Sequence, residues 1–204
     1  MPKVSEEYKV KKRELLMESA LSCFAEKGYQ STTMDDIVAK SKASKGVIYN
    51  YFKSKEELYL SLMEERTNRT FAFLAERFEN MQTASEKIRE LFRIYREATL
   101  NKKWQEVIQV HMEFWINSAR AGHLREIMMN RYKNQYQSFL ASIIDEGQKN
   151  GEFRKALDSK RIASLFWAFI DGLCTHYSVI GDDYDYKHLF KETEEMMFLY
   201  LARS

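Results

Sequence analysis

The chain has 204 residues, 45% of them hydrophobic, and a formal net charge of +2. That length and apolar content suffice for a buried core in one domain or two, and so small a net charge excludes a protein that coats nucleic acid by bulk basicity. One proline (Pro2), seven glycines and two cysteines leave few helix breakers and no disulfide framework, and no run of 18 apolar residues is present to cross a membrane.

The opening MPKVSEEYKVKKRE is polar and charged, unlike a secretory signal, so the expected setting is cytoplasmic. Cys23 and Cys174 are flanked by apolar residues and read as reduced core thiols, with a redox pair as the alternative. Periodicity predicts helices almost throughout. The first runs from about Tyr8 to Lys27, with Leu16, Ala20, Cys23 and Phe24 as its inner stripe and Gly28 as its C-terminal cap.

The next stretch, Thr32 to Leu58, reads TTMDDIVAKSKASKGVIYNYFKSKEEL. Thr33 and Asp36 have the spacing of a capping box, and Met34, Ile37 and Val38 share one helical face. Ser41-Lys42-Ala43 predicts a turn, after which Ser44 caps a helix over about Lys45–Phe52. Ser54 with Glu57 starts a third helix, running through Glu65 toward Asn80. Two short helices around a three-residue turn are the layout of a helix-turn-helix DNA reader.

A helix laid in the major groove needs small residues at its N-terminal end, and Ser44 and Gly46 stand there. Val47, Ile48, Tyr51 and Phe52 are expected to pack inward, while Lys45, Gly46, Tyr49 and Asn50 face out. Thr33, Lys45, Tyr49 and Lys55 are candidate phosphate donors. Lys45 can also donate to guanine, and Asn50 can face adenine or a phosphate. The full candidate DNA-binding set is Thr33, Met34, Lys42, Ala43, Ser44, Lys45, Gly46, Val47, Tyr49, Asn50, Tyr51, Phe52 and Lys55. Residues 1–55 carry eleven Lys/Arg and seven Asp/Glu, against twenty-one and twenty-three in the remaining 149, so the positive bias lies with the reader. Lys9, Lys11, Lys12 and Arg13 either reach the DNA backbone or are solvated charges at a helix end. The plain alternative, a solvated helical hairpin, is disfavoured by caps on three successive helices and by Gly46 beside Tyr49, Tyr51 and Phe52.

Ala20, Phe24, Lys27-Gly28-Tyr29, Thr32-Thr33-Met34, Asp36-Ile37, Ser44-Lys45-Gly46, Ile48-Tyr49, Tyr51-Phe52 and Ser54-Lys55-Glu56-Glu57-Leu58 together resemble the DNA-binding domain of the TetR family of bacterial transcriptional regulators, over about Leu15 to Met63. The resemblance implies an all-α protein: a three-helix helix-turn-helix DNA-binding domain at 1–56, then a larger helical ligand-binding and dimerisation domain at 57–204. It implies a homodimer on double-stranded DNA at a palindromic operator, acting as a repressor released by a small molecule. The chain departs from the family at the turn, where Ala-Gly-Val is usual and Ser41-Lys42-Ala43 stands here. If position 42 takes positive φ, its lysine costs about 1–2 kcal/mol.

Beyond Met81, helices are predicted at about Ala84–Leu100, Lys103–Ala121, His123–Asn150, Ser159–Ile180 and Lys187–Ala202. Ile162 to Leu173, IASLFWAFIDGL, is apolar nearly all round and must be covered on both sides. A second copy of the chain is the expected cover, with Ile162, Leu165, Phe166, Phe169, Leu173, Met196 and Tyr200 at a two-fold four-helix interface; a central helix in a monomer is the alternative. Trp104, His111, Phe114, Trp115, Tyr132, Tyr136 and Trp167 are candidates to line a pocket for an apolar or cationic effector, against the plainer reading of each as core. HMEFWINSARAGHLRE and EGQKNGEF diffusely resemble the C-terminal domain of choline-responsive and related members of the family. No catalytic motif, no cofactor fingerprint and no metal-ligand spacing among the four histidines is found, so neither an enzyme nor a cofactor or metal is expected. DNA packaging without sequence preference remains the rival role.

Overall fold

The computed structural model describes residues 5–98 and 100–202. It is all-α, apart from one isolated antiparallel bridge between Phe153 and Ala202 among the described residues. The chain divides into two compact units, Met1–Glu76 and Arg77–Ser204, and passes from one to the other inside a single helix.

The first unit holds α1 (Glu6–Lys27), α2 (Met34–Ser41), α3 (Lys45–Tyr51) and most of α4 (Lys55–Phe78). The Ser5 side chain accepts from Tyr8 N at the start of α1, and Gly28, at φ 79°, ends the helix by donating its N–H to Phe24 O at 2.8 Å. Leu16, Ala20, Phe24, Ile37, Ile48, Phe52, Leu58 and Tyr59 are fully buried. Phe24, Tyr29 and Tyr59 form a closed aromatic triplet with centroids 5.3 to 5.9 Å apart. α1 and the start of α4 therefore serve as a frame against which the two short helices are pressed.

The second unit holds α5 (Ala84–Arg96), α6 (Lys102–Ser118), α7 (Gly122–Arg131), a π-helical segment (Tyr132–Gln137), α8 (Ser138–Asn150), α9 (Ser159–Ile180), a 3-10 turn (Gly181–Asp183) and α10 (Tyr186–Leu201). α9 is central and packs on α6, α8 and α10. The helix expected from His123 to Asn150 is interrupted at Tyr132–Gln137, where the backbone hydrogen bonds take the wider i→i+5 spacing of a π-helix. Nothing in the polar run YKNQYQ announces that change. The helix expected to reach Leu100 stops at Arg96, where the Glu97 N–H closes on Arg93 O at 2.8 Å; residue 99 lies outside the described residues. Residues 1–4, where the opening read as non-secretory begins, also lie outside them.

Buried acids in this unit are matched by arginines. Glu90 accepts from Arg93 at 2.7 Å and from Arg77, and Glu194 accepts from Arg96 at 2.8 Å and Arg89 at 3.0 Å. The hydrogen bond from Arg93 is the main reason the Glu90 carboxyl sits below the usual carboxylate range. Cys23 and Cys174 are free and buried; burial pushes both thiols up, Cys174 to about 12, which suppresses the reactive thiolate.

Candidate nucleic-acid interface and effector cavity

The first two helix starts of the reader are held by local hydrogen bonds. Thr33 Oγ accepts from Asp36 N at 3.1 Å and Asp36 Oδ2 accepts from Thr33 N at 2.8 Å, a complete capping box. Lys27 donates to Asp36 Oδ1 at 2.5 Å; this bond, with those from Thr33, holds the carboxyl well below its ordinary range. Ser44 Oγ accepts from Val47 N at 3.3 Å and starts α3. At α4, Ser54 Oγ accepts from Glu57 N at 3.0 Å, but the Glu57 carboxylate accepts from Lys53 N, one residue before the expected partner.

Between α2 and α3, Lys42 takes φ 51° and ψ 25°, the left-handed conformation, and is the only non-glycine residue with positive φ among the described residues. Ser41 Oγ donates to Val38 O at 3.2 Å and accepts from Ala43 N at 3.3 Å, so the turn is closed by a serine side chain. Position 42 does need positive φ, and lysine occupies it under strain.

Ser44, Lys45, Gly46, Tyr49 and Asn50 are exposed at i, i+1, i+2, i+5 and i+6 along α3 and its cap. Thr33 and Lys42 are exposed as well, while Met34, Ala43, Val47 and Tyr51 are half-buried. A Cβ built on Gly46 meets nothing within 4 Å, so the protein's own packing sets no demand for glycine there. Lys45 Nζ forms an exposed ion pair with Asp35 at 2.8 Å.

Two members of the candidate set fall elsewhere. Phe52 is 1% exposed, because α3 ends there in extended backbone that turns the ring into the core; the Arg13 guanidinium lies 5.3 Å over that ring. Lys55 Nζ donates to Tyr29 O at 2.6 Å, Thr32 O at 2.7 Å and Gln30 O at 3.0 Å, and stands 4.6 Å over the Tyr29 ring. Its charge satisfies the carbonyls of the loop between α1 and α2, so it is a clamp inside the unit and not a free phosphate donor. Among the basic residues of α1, Lys9 pairs with Glu6, Lys11 with Glu7 and Arg13 with Glu65, at 2.6, 2.7 and 2.6 Å.

In the second unit the predicted interface residues separate by face. Ile162 (3% exposed) and Phe166 (1%) point into the chain's own core, whereas Leu165 (46%), Phe169 (40%), Met196 (58%) and Tyr200 (48%) are exposed, with Leu173 half-buried between them. Val179, Ile180 and Leu199 extend the exposed apolar face. A Cβ at Gly172 would meet nothing, which leaves room for close approach by another helix. An exposed apolar surface of this extent on two adjoining helices is characteristic of an interaction site.

A cavity of about 50 Å³ is lined by His111, Trp115, Met128, Arg131, Tyr132, Tyr136, Trp167 and Asp171. It gathers five of the seven candidate pocket residues from α6, the π-helical segment and α9. Trp104 is not among them: it packs edge-on against Tyr177 and Tyr186, with centroids 5.7 and 5.9 Å away. Phe114, at 2% exposed, is core on the inward side of α6. Trp167 Nε1 donates to Tyr136 O at 2.9 Å and the two rings meet perpendicularly, which fixes that wall. Gln137 Nε2 donates to Ser164 Oγ at 2.8 Å and ties the π-helical segment to α9. Arg131 and Asp171 were not predicted, although Asp171 is the only charged residue in IASLFWAFIDGL. Asp171 as a residue is exposed, yet partial burial of its carboxyl pushes its pKa up to about 6.

Comparison with known proteins agrees with both units. The family model described as bacterial regulatory proteins, tetR family, matches residues 16–62, and that of the tetracyclin repressor-like C-terminal domain matches residues 94–186. The HTH-type transcriptional regulator QacR of Staphylococcus aureus is 30% identical over 135 residues, 66% of this chain and 69% of that protein. The structure of a putative transcriptional regulator from Saccharomonospora viridis in complex with choline superposes with a TM-score of 0.77 at 22% identity, covering 94% of this chain and 98% of that one. That of the regulator FadR from Bacillus subtilis in complex with stearoyl-CoA gives 0.72 at 23%, covering 92% and 98%.

Proposed function

Since the chain belongs to the TetR family and is a DNA-binding transcriptional regulator, we propose that it represses transcription from a palindromic operator and leaves the DNA when a small molecule fills the cavity of its second unit. The observation that carries this reading is the capped α3 behind a tight turn, presenting Ser44, Lys45, Gly46, Tyr49 and Asn50 outward. Lys45, Tyr49 and Asn50 make the polar contacts, and Gly46 lets the backbone approach the groove. Lys45 exchanges Asp35 for DNA at little cost, because an exposed ion pair is worth little in water.

Two copies pair through the exposed face of α9 and α10. Their α3 helices then sit one DNA turn apart, about 34–36 Å, or a multiple of it. DNA binding belongs to residues 1–56, and effector binding and dimerisation to 57–204. α4 is common to both units, so a shift of its C-terminal end is carried along continuous helix backbone. That end is held where Arg77 meets Glu90 and Phe78 stacks on Phe139.

The effector is apolar or cationic, as its aromatic wall requires. Of the two structural neighbours, one holds choline, a cation, and the other stearoyl-CoA, which joins an apolar acyl chain to an anionic nucleotide part. At about 50 Å³ the cavity is far below the roughly 300–1,000 Å³ of a small-molecule site, so an effector must widen it. The π-helical segment is the wall best placed to yield. Releasing operator DNA a hundredfold requires about 2.7 kcal/mol of ligand preference for the free form. The protein acts in the cytoplasm, and no catalytic role is assigned to it.

The test is retention of sheared genomic DNA by the purified protein at about 150 mM salt, followed by sequencing. A few enriched sites sharing a palindrome are expected. Uniform retention would show packaging instead, and a monomer at micromolar concentration would remove the two-fold pairing.

A further inference from the structure

The reader surface carries a group of the wrong sign for DNA. Asp35, the second residue of α2, has a side chain 69% exposed, and its two oxygens accept from Lys45 Nζ at 2.8 and 3.1 Å. The Lys45 side chain is itself 62% exposed, so the pair joins α2 to the outward face of α3. Folding sets little demand for this carboxylate. Asp36 already closes the capping box of α2 and meets Lys27, and an exposed ion pair adds little in water. A carboxylate among phosphates costs affinity for any DNA, whatever its sequence. Such a cost has a use where a protein must reject many wrong sites.

We propose that Asp35 is a specificity residue: it weakens binding to DNA at large and accepts a hydrogen bond from the cytosine amino group of one G·C pair in each half-site, the pair whose guanine Lys45 reads. The inference rests on the reading of α3 as the helix in the major groove, and adds to it a residue of α2 that filters what α3 meets.

When Lys45 turns to DNA, the Asp35 carboxylate is left without that donor. Phosphate oxygens, guanine O6 and N7 and thymine O4 are all acceptors and cannot replace it, whereas the amino groups of cytosine and adenine can. The ammonium and the carboxylate stand 2.8 Å apart. Guanine O6 and cytosine N4 are joined by the base pair's own hydrogen bond, about 2.9 Å long. The two pairs therefore match in spacing and in the order of donor and acceptor: Lys45 donates to O6 and N7, and Asp35 accepts from N4. An A·T pair also sets an amino group beside a carbonyl. Its carbonyl is thymine O4, flanked by a methyl group where guanine presents N7, so Lys45 loses an acceptor there.

The experiment selects bound duplexes from a library randomised over about three helical turns, enough for two half-sites, at about 150 mM salt. It uses the full-length protein as wild type, Asp35→Ala, Asp35→Asn, Lys45→Ala and Tyr49→Ala. The wild type is expected to select a palindrome with a G·C pair fixed at one position of each half. Asp35→Ala should lose the preference at that position alone, by about tenfold per half-site, and bind the unselected library about tenfold more tightly. Asp35→Asn, whose amide suits N6 and N7 of adenine, should shift the same position toward A·T. An Asp35→Ala motif identical to that of the wild type, or unselected DNA bound no better than before, overturns the inference. So does a change spread over the whole motif, which would make Asp35 a support of the turn. Far-UV circular dichroism of each variant checks the fold, and Asp35→Asn preserves the side chain's shape should the alanine variant unfold. If Lys45→Ala and Tyr49→Ala lose the motif while Asp35→Ala keeps it, the reader helix stands and the role of Asp35 falls. If Asp35→Ala changes its one position while Tyr49→Ala has no effect, the role of Asp35 stands and the Tyr49 contact falls. If the wild type selects no motif, both fall.

Discussion

In the first unit the residues that α3 and its cap present outward, Ser44 to Asn50, are neighbours in the chain, and the starts of α2, α3 and α4 are each held by a hydrogen bond spanning three residues. In the second unit the cavity residues come from α6, α7, the π-helical segment and α9, and meet only because α9 packs centrally. The contrast teaches where stability and function overlap. The reader's working face is nearly free of internal duties, so selection for DNA can act on it directly. The cavity wall is also the core of its unit, so a change there alters packing and ligand together.

Two glycines test that contrast most sharply. A Cβ at Gly147 would lie 2.2 Å from the ring of Phe153, which is 2% exposed, and 2.9 Å from the Ala84 Cβ. Gly147→Ala is expected to cost about 2–3 kcal/mol in a urea melt, by overpacking. Gly46→Ala should leave stability unchanged or raise it by up to about 1 kcal/mol, since alanine is the better helix former, while weakening operator binding. If Gly46→Ala binds the operator as well as the wild type, the close approach of α3 to DNA is wrong.

Lys55 gives the next effect. Removing its ammonium strands three loop carbonyls, so Lys55→Ala should lose about 2 kcal/mol of stability. A variant as stable as the wild type but weak on DNA would return Lys55 to the phosphate contacts. A smaller change of opposite sign is expected at the turn. Lys42→Gly relieves a left-handed lysine at φ 51° and should stabilise the unit by up to about 1 kcal/mol, the greater flexibility of unfolded glycine offsetting part of the gain. A lower melting temperature for this variant would mean that Lys42 makes a compensating contact.

The smallest effect lies in the cavity and depends on pH. The folded pKa of Asp171, raised to about 6 from 3.8, means that ionising this carboxyl destabilises the fold. The penalty is fully present above pH 6 and is lost as pH falls toward the unfolded value. Asp171→Asn should therefore melt at a higher temperature than the wild type at pH 7.5 and at the same temperature near pH 4. An unchanged difference across that range would assign the effect to something other than the proton.

The sequence by itself determined the helical architecture, the helix-turn-helix and most helix starts. Thr33 with Asp36, and Ser44 before Val47, act on backbone groups three residues away, a distance that pattern alone encodes. It also set the expectation of cover on both sides of the Ile162–Leu173 helix, of which the chain's own core supplies one, over Ile162 and Phe166. Tertiary structure alone decided which side each residue takes. Phe52 and Lys55 carry the aromatic and basic character of a DNA contact, yet packing of α3 and α4 on α1 turns one into core and the other into a loop clamp. Ile162 and Leu165 are equally apolar and three residues apart, and only the position of α9 in its unit buries the first and exposes the second. The cavity, its unpredicted Asp171 and the π-helical wall belong to the same class. Local hydrogen bonds depend on neighbours in the chain, whereas burial and the charge state it imposes depend on which distant elements close around a side chain.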